Sequence, residues 1–396
     1  MNETNPSSVS SVDGGPRHFG SGWISGVLAI VLGAAGLGAV LCFHFPSLMT
    51  MPELRGKYPV PLVRGVLHVV LVSSFLLGTL SVCLRRQKIL GSIGIGLTLL
   101  AALLGGSRVP IDGELTNGPF LGLDWFLLNL ILFSAVFIPL ERLFALNPEQ
   151  PVFRKHWRVD LTYVFISSLA VQVTTLLTLK PAMIFFDWAA IPSVRAWVGS
   201  QPLWVQFLEI LVITDFVQYW IHRAFHTRWL WKFHAVHHSA EVMDWLAGSR
   251  LHIVDVAATR GLSYIPTYVL GFSETAIFAY VALVSVQATF IHSNMRFQFR
   301  PVHWLFATPQ FHHWHHAADR EGIDKNFAVH IPLIDRIFGT YFLPPNRWPK
   351  RYGLSSGEEM PPWMMLQFLY PFRRSRTPDA TPTKPAESTN NGSSGA

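Results

Sequence analysis

The stretch Trp23-ISGVLAIVLGAAGLGAVLC-Phe43 runs for twenty-one residues without one charged side chain. About 20 apolar residues in an α-helix span the hydrocarbon layer of a bilayer, so this segment reads as a transmembrane helix. Similar blocks follow at Val63 to Leu84, Ile89 to Gly106 and Leu121 to Leu140. Half of the 396 residues are hydrophobic and 14% are charged, against about 25% charged in a soluble domain. The sequence therefore predicts an all-α, polytopic membrane bundle. The first block follows a polar stretch of about twenty residues, exceeds a signal-peptide core in length and is expected to stay as a retained span.

Six spans fit, at about 23–43, 63–84, 88–107, 121–141, 160–186 and 203–221. The net charge of +7 lies mainly at their ends, which argues for membrane orientation and against nucleic acid as a partner. Arg85, Arg86 and Lys88 follow the second span; Arg142, Arg154, Lys155 and Arg158 the fourth; Arg223, Arg228 and Lys232 the sixth. On the opposite side Arg108 is offset by Asp112 and Glu114, and Arg195 is nearly alone. By the positive-inside rule both termini are expected in the cytoplasm; the loop at 45–62, with Arg55 and Lys57, departs from the pattern. Residues 258–291 are apolar but broken by Gly271-Phe-Ser-Glu274. They read as a two-helix re-entrant hairpin that returns the chain to the side it left. Cys42 and Cys83 offer neither a disulfide framework nor a CxxC metal site.

Twelve of the seventeen histidines fall between His222 and His316. They cluster as His222-Arg-Ala-Phe-His226, His234-Ala-Val-His237-His238 and His312-His-Trp-His315-His316, with His252 and His292 between. Residues four apart share a helix face, so His222 and His226 can point at one ion. Asp215, Tyr219, His222 and His226 form one stripe, and Asp215 is placed to accept a hydrogen bond from an imidazole N–H and fix a ligand's tautomer. Each H-x-x-H-H run puts at least two imidazoles on one helical face. Thr308-Pro309 reads as an N-cap and first helical position, starting a helix that carries His312, His315 and His316. A lone histidine is more often a satisfied core residue; three matched clusters in one membrane protein point to metal. Imidazole suits zinc, copper, iron and nickel alike. Structural zinc takes four ligands, so eight or more histidines imply two ions. The H-E-x-x-H and Glu-x-x-His signatures are absent.

These residues resemble the fatty acid hydroxylase / sterol desaturase superfamily. The resemblance rests on Asp215-Phe-Val-Gln-Tyr219-Trp220-Ile-His222-Arg223-Ala-Phe-His226, His234 to His238, Thr308-Pro309-Gln-Phe-His312 to His316, and the run from Asp324-Lys325-Asn326-Phe327 to Asp335-Arg336-Ile-Phe338-Gly339-Thr340-Tyr341. It covers about 155–345. It implies two iron ions, which zinc can replace in purified protein, with O2 as co-substrate. The implied ligands are His222, His226, His234, His237, His238, His292, His312, His315 and His316, with Asp215 and Tyr219 behind them. His252 is a further candidate, in a segment where relatives often show His-Pro-x-Glu. His313, His303 and His330 are left as structural.

The expected organisation is a disordered tail (1–20), a membrane region of about four spans (21–150), the hydroxylase-like domain (151–345), an extension (346–374) and a second tail (375–396). The histidine clusters would form a helical cap on the cytoplasmic side of a bacterial inner membrane or the endoplasmic reticulum. The expected reaction is hydroxylation of a lipid C–H bond, on a fatty acyl, sterol, carotenoid or alkylglycerol substrate. Desaturation and alkylglycerol ether cleavage are alternatives on the same site, and a non-catalytic membrane metal protein is the alternative of another class. No Gly-rich dinucleotide loop or flavin motif is present, so electrons are expected from a cytochrome b5-like or ferredoxin/reductase donor.

Overall fold

The computed structural model describes residues 20–55, 57–111, 120–169, 181, 183–298 and 300–373. Among these the regular elements are all helices; β-type pairing is confined to two isolated bridges, Ala145 with Met295 and Ala317 with Tyr352. The two tails (apart from Gly20), the loop with Asp112 and Glu114, and the middle of the expected 160–186 span lie outside the described residues.

Helices α1 (Trp23–His44), α2 (Val60–Leu84) and α3 (Ile89–Leu103) pack together first. Lipid tails are as apolar as leucine, so helices in a bilayer associate through close backbone approach and buried polar contacts. That is why the buried faces here are small: Gly26, Ala29 and Gly33 on α1, Ser74, Gly78 and Ser81 on α2, Gly91, Gly94 and Thr98 on α3. A Cβ at Gly94 would lie 2.6 Å from that of Ala29, and one at Gly91 2.5 Å from the Gly78 carbonyl. The Ser74 hydroxyl donates to the Ala29 carbonyl at 2.8 Å and meets Thr98 Oγ1 at 2.7 Å, tying all three helices. Large residues such as Leu62, Val69 and Leu76 face outward, as a lipid-contacting surface requires.

Helix α4 (Leu123–Leu143) leads to the second half of the molecule. Its end is bound into that half, because Glu141 Oε1 accepts from the Trp245 and Asn294 N–H groups at 2.7 and 2.9 Å. After α5 (Trp157–Leu169), α6 (Leu203–Phe225) packs against α7 (Ile253–Leu270) and α8 (Glu274–His292) around Ile210, Phe272, Ala276 and Tyr280. The break expected within 258–291 is a hairpin turn. Gly271 ends α7 in the left-handed conformation at φ 75°, and the Ser273 side chain caps α8.

Among the described residues, five helical segments are long and apolar enough to cross a membrane: α1, α2, Ile89–Arg108, α4 and α8. The count is six if α6 and the short helix Pro192–Ser200, bent 119° from it, form one span. The protein is therefore a multi-pass membrane protein. The span expected at 203–221 does not qualify alone, its apolar run being interrupted by Gln206, Glu209, Asp215 and Gln218. The charge pattern also needs one correction. Arg154, counted above among the cytoplasmic cations, is 3% exposed and bonded to Asp244 (2.7 Å) and Asp160 (2.7 Å). Arg250 binds the other face of Asp160, completing a buried quartet in which each charge has a partner.

Candidate metal centre

Helix α6 ends with Asp215, Tyr219, His222 and His226 on one face, and the two imidazoles stand 5.5 Å apart, centroid to centroid. Helix α9 (Pro309–His315) starts where Thr308-Pro309 predicts: the Thr308 hydroxyl accepts from the Phe311 N–H, and the helix is buried along its length. His292 is the last residue of α8. The second cluster departs from the expected single helix. It divides into a short helix, Trp231–His234, and a 3-10 turn, His237–Ser239, so its neighbouring histidines diverge.

That divergence sorts nine histidines into two adjoining groups. His222, His226, His234, His238 and His315 have one ring nitrogen each within 4.8 Å of one another, as do His237, His292, His312 and His316. In the first group the Nε2 atoms of His222 and His234, and of His238 and His315, are 3.0 Å apart. In the second, His292 Nε2 lies 3.0 Å from that of His312 and 3.3 Å from that of His237, and His312 and His316 are 3.1 Å apart. The groups touch where His238 stacks on His316, with ring centroids at 4.4 Å and planes 22° apart.

The outward nitrogens explain which inward ones carry lone pairs. Nδ1 of His222 donates to the Phe327 carbonyl (2.7 Å), His315 to Lys325 (2.8 Å), His237 to Arg250 (3.1 Å) and His292 to Ala288 (2.6 Å). His234 Nδ1 donates to Asp255 (2.6 Å) and His226 Nδ1 to Asp324 (3.1 Å). A neutral imidazole has one N–H, so these six rings turn bare lone pairs toward one another. Burial holds His234, His237, His238, His312, His315 and His316 well below the ordinary histidine pKa, and the repulsion of neighbouring imidazolium charges adds to it. Neutral rings with opposed lone pairs at 3.0 Å repel unless a cation lies among them. The buried His226 Nε2 likewise has no hydrogen-bond partner. The donor set fits metal, and five plus four nitrogens exceed one tetrahedral zinc site.

All nine histidines singled out as ligands stand in these groups. His252 stands outside both. It caps α7, its Nδ1 accepting from the Val254 N–H while Nε2 donates to the Phe368 carbonyl (3.1 Å). His313 also stands apart, between Tyr352 and the Ser293 carbonyl. Asp215 corrects its expectation: it accepts from the backbone N–H groups of Val329 (2.9 Å), His330 (3.1 Å) and Ile331 (2.7 Å), not from an imidazole. Two turns before His222, its short side chain reaches only the loop laid across α6. Tyr219 holds the same loop through Thr340 (2.9 Å) and by stacking on Phe338. Both thus act on His222 indirectly, through the segment that supplies the Phe327 carbonyl.

Sequence reasoning gave no role to the carboxylates that do contact imidazole: Asp324 falls in a run the resemblance quotes, and Asp255 stands where relatives often show the Glu of His-Pro-x-Glu. It gave no role to Asp335, which receives the Phe327 and Ala328 N–H groups (both 2.8 Å) and the Thr340 hydroxyl (2.6 Å). It also passed over Gly248, where a Cβ would lie 2.7 Å from His292 Nδ1.

A multi-pass helical protein with two joined imidazole groups has the arrangement of a membrane protein capable of binding metal. Residues 207–340, which contain both groups, match the family described as Fatty acid hydroxylase. The ornithine lipid hydroxylase OlsE of Rhizobium tropici is 24% identical over 66% of this chain and 81% of its own length. An alkylglycerol monooxygenase of Homo sapiens is 29% identical over 35% of the chain, and a very-long-chain aldehyde decarbonylase of Oryza sativa subsp. japonica 28% over 34%. The chain spans about a third of the former and half of the latter. No solved structure matches.

Proposed function

We propose that the protein is an O2-dependent oxygenase that hydroxylates a C–H bond of a membrane lipid. His222, His226, His234, His238 and His315 would hold one iron ion and His237, His292, His312 and His316 a second. The carrying observation is the pair of adjoining groups whose buried lone pairs converge beside apolar helices. Bound iron supplies the oxygen-activating redox chemistry. The chain's own work is to fix each ring through its outward nitrogen and to exclude water. Trp231 lies 5.1 Å from His226 and 5.2 Å from His238, and Phe327 5.0 Å from His226, walling the first group with aromatic surface.

Coverage of most of an ornithine lipid hydroxylase supports an acyl lipid substrate and hydroxylation as the outcome. Desaturation and ether cleavage would use the same ligands. Electrons would come from a cytochrome b5-like or ferredoxin-type donor, for which the exposed Arg228 and Lys232 beside the first group offer a basic approach. The ends of α4, α6 and α8 all face the site. On the six-span count, both termini would share the site's side, and the positive-inside bias of the sequence would make that side the cytoplasm. Lipid profiling by mass spectrometry of cells with and without the protein tests the reading. A lipid gaining one oxygen, dependent on His315, is expected; loss of two hydrogens would make the enzyme a desaturase, and an unchanged lipidome would refute the oxygenase.

A further inference from the structure

The two histidine groups are backed differently. Around the first, two rings donate to carboxylates, His234 to Asp255 and His226 to Asp324, and two to carbonyls of one short segment, His222 to Phe327 and His315 to Lys325. That segment is itself locked. Asn326, fully buried, bonds the carbonyls of Phe311 (2.8 Å) and Phe342 (2.7 Å) and accepts from the Phe342 N–H (2.7 Å). Around the second group, among the described residues, no carboxylate bonds a ring. His237 and His292 donate to carbonyls only, and Nδ1 of His312 and of His316 is buried with no partner.

An imidazole that donates to a carboxylate is a more basic ligand and is held in one orientation. A carboxylate nearby also lowers the energy of a divalent cation directly, most where water is excluded, as at the buried Asp255. The first group has two such carboxylates and five donors; the second has four donors, two of them without an anchoring contact. We propose that the two metal sites bind with unequal strength: the five-histidine site keeps its ion, and the four-histidine site is the exchangeable one. This rests on the metal-centre reading above. It adds a role for Asp255 and Asp324 as positioning residues that set retention at one site.

Purified, iron-loaded full-length protein in detergent is incubated with a mild chelator, and metal per chain is followed by elemental analysis. Two phases are expected, one equivalent leaving quickly and one slowly. Asp324→Asn, at a side chain 62% exposed whose replacement spares the core, and Asp255→Asn should each weaken the slow site about 10–100-fold, the range for such outer contacts. His292→Ala should remove the fast phase alone, and His226→Ala the slow one. Release of both equivalents in one phase, or a slow phase unmoved by both Asp variants, would overturn the inequality while leaving a two-metal centre standing. Protein that neither purifies with metal nor takes up added iron would overturn the centre itself and the inequality with it.

Discussion

At the level of single residues the site is a set of imidazoles with assigned faces, and the assignments make different side chains fail differently. His315 and His238 point Nε2 at each other across 3.0 Å. Replacing either by Ala should abolish lipid product while membrane insertion, followed by fractionation, stays normal; retained activity would remove that residue from the ligand set. Asp215 should behave otherwise. Its loss leaves three N–H groups without this acceptor, the buried one of His330 and the part-buried ones of Val329 and Ile331, and a buried unsatisfied group costs about 1–3 kcal/mol. Asp215→Ala should thus lower the unfolding temperature in detergent, and an unchanged temperature would contradict the assigned contacts. The pH response follows from burial. Folded His234, His237, His238, His312, His315 and His316 resist protonation, whereas in the unfolded chain they take up protons near pH 6.5. Above that pH neither state binds the protons and stability is complete; below it the unfolded state gains them. Metal-free protein should lose stability as pH falls below about 6.5, and metal-loaded protein less, as thermal scans at several pH values would show.

Elements differ in how much of them the sequence makes legible. The pair His222 and His226 on α6, and the helix opened by Thr308-Pro309, follow from local spacing and capping. The H-x-x-H-H run at 234–238 does not, because its break at Ala235 and Val236 serves contacts from elsewhere in the chain: Asp255 for His234 and the Arg250 carbonyl for His237. Asp215 was readable as a buried charge in need of a partner, but its partners lie more than a hundred residues away. Arg154 looked like an orientation signal because one of its two partners, Asp244, lies 90 residues away, although the other, Asp160, is near it in the chain. The turn at Ala247–Ser249 offers a test at this scale. Gly248 lies against the His292 ring, so Gly248→Ala should displace His292 and lower metal content at the second site; unchanged metal content would mean the turn gives way without cost.

Across the whole molecule, the apolar blocks announce a membrane protein, and the close glycine contacts of α1, α2 and α3 show how its first half holds together. That half touches the site's scaffold through α4, whose Glu141 binds the backbone at Trp245 and Asn294. The residues beyond 373 lie past the last described contacts. Ending the chain near residue 375 should leave activity within about twofold, a surface-type change, measured as product per chain. The central claim is that nine histidines hold two ions, and metal counting tests it most directly. Protein purified without added zinc should carry two irons per chain, falling when His315 or His312 is replaced by Ala. Zinc in stoichiometric amount with no O2-dependent product, or metal content indifferent to both substitutions, would contradict it.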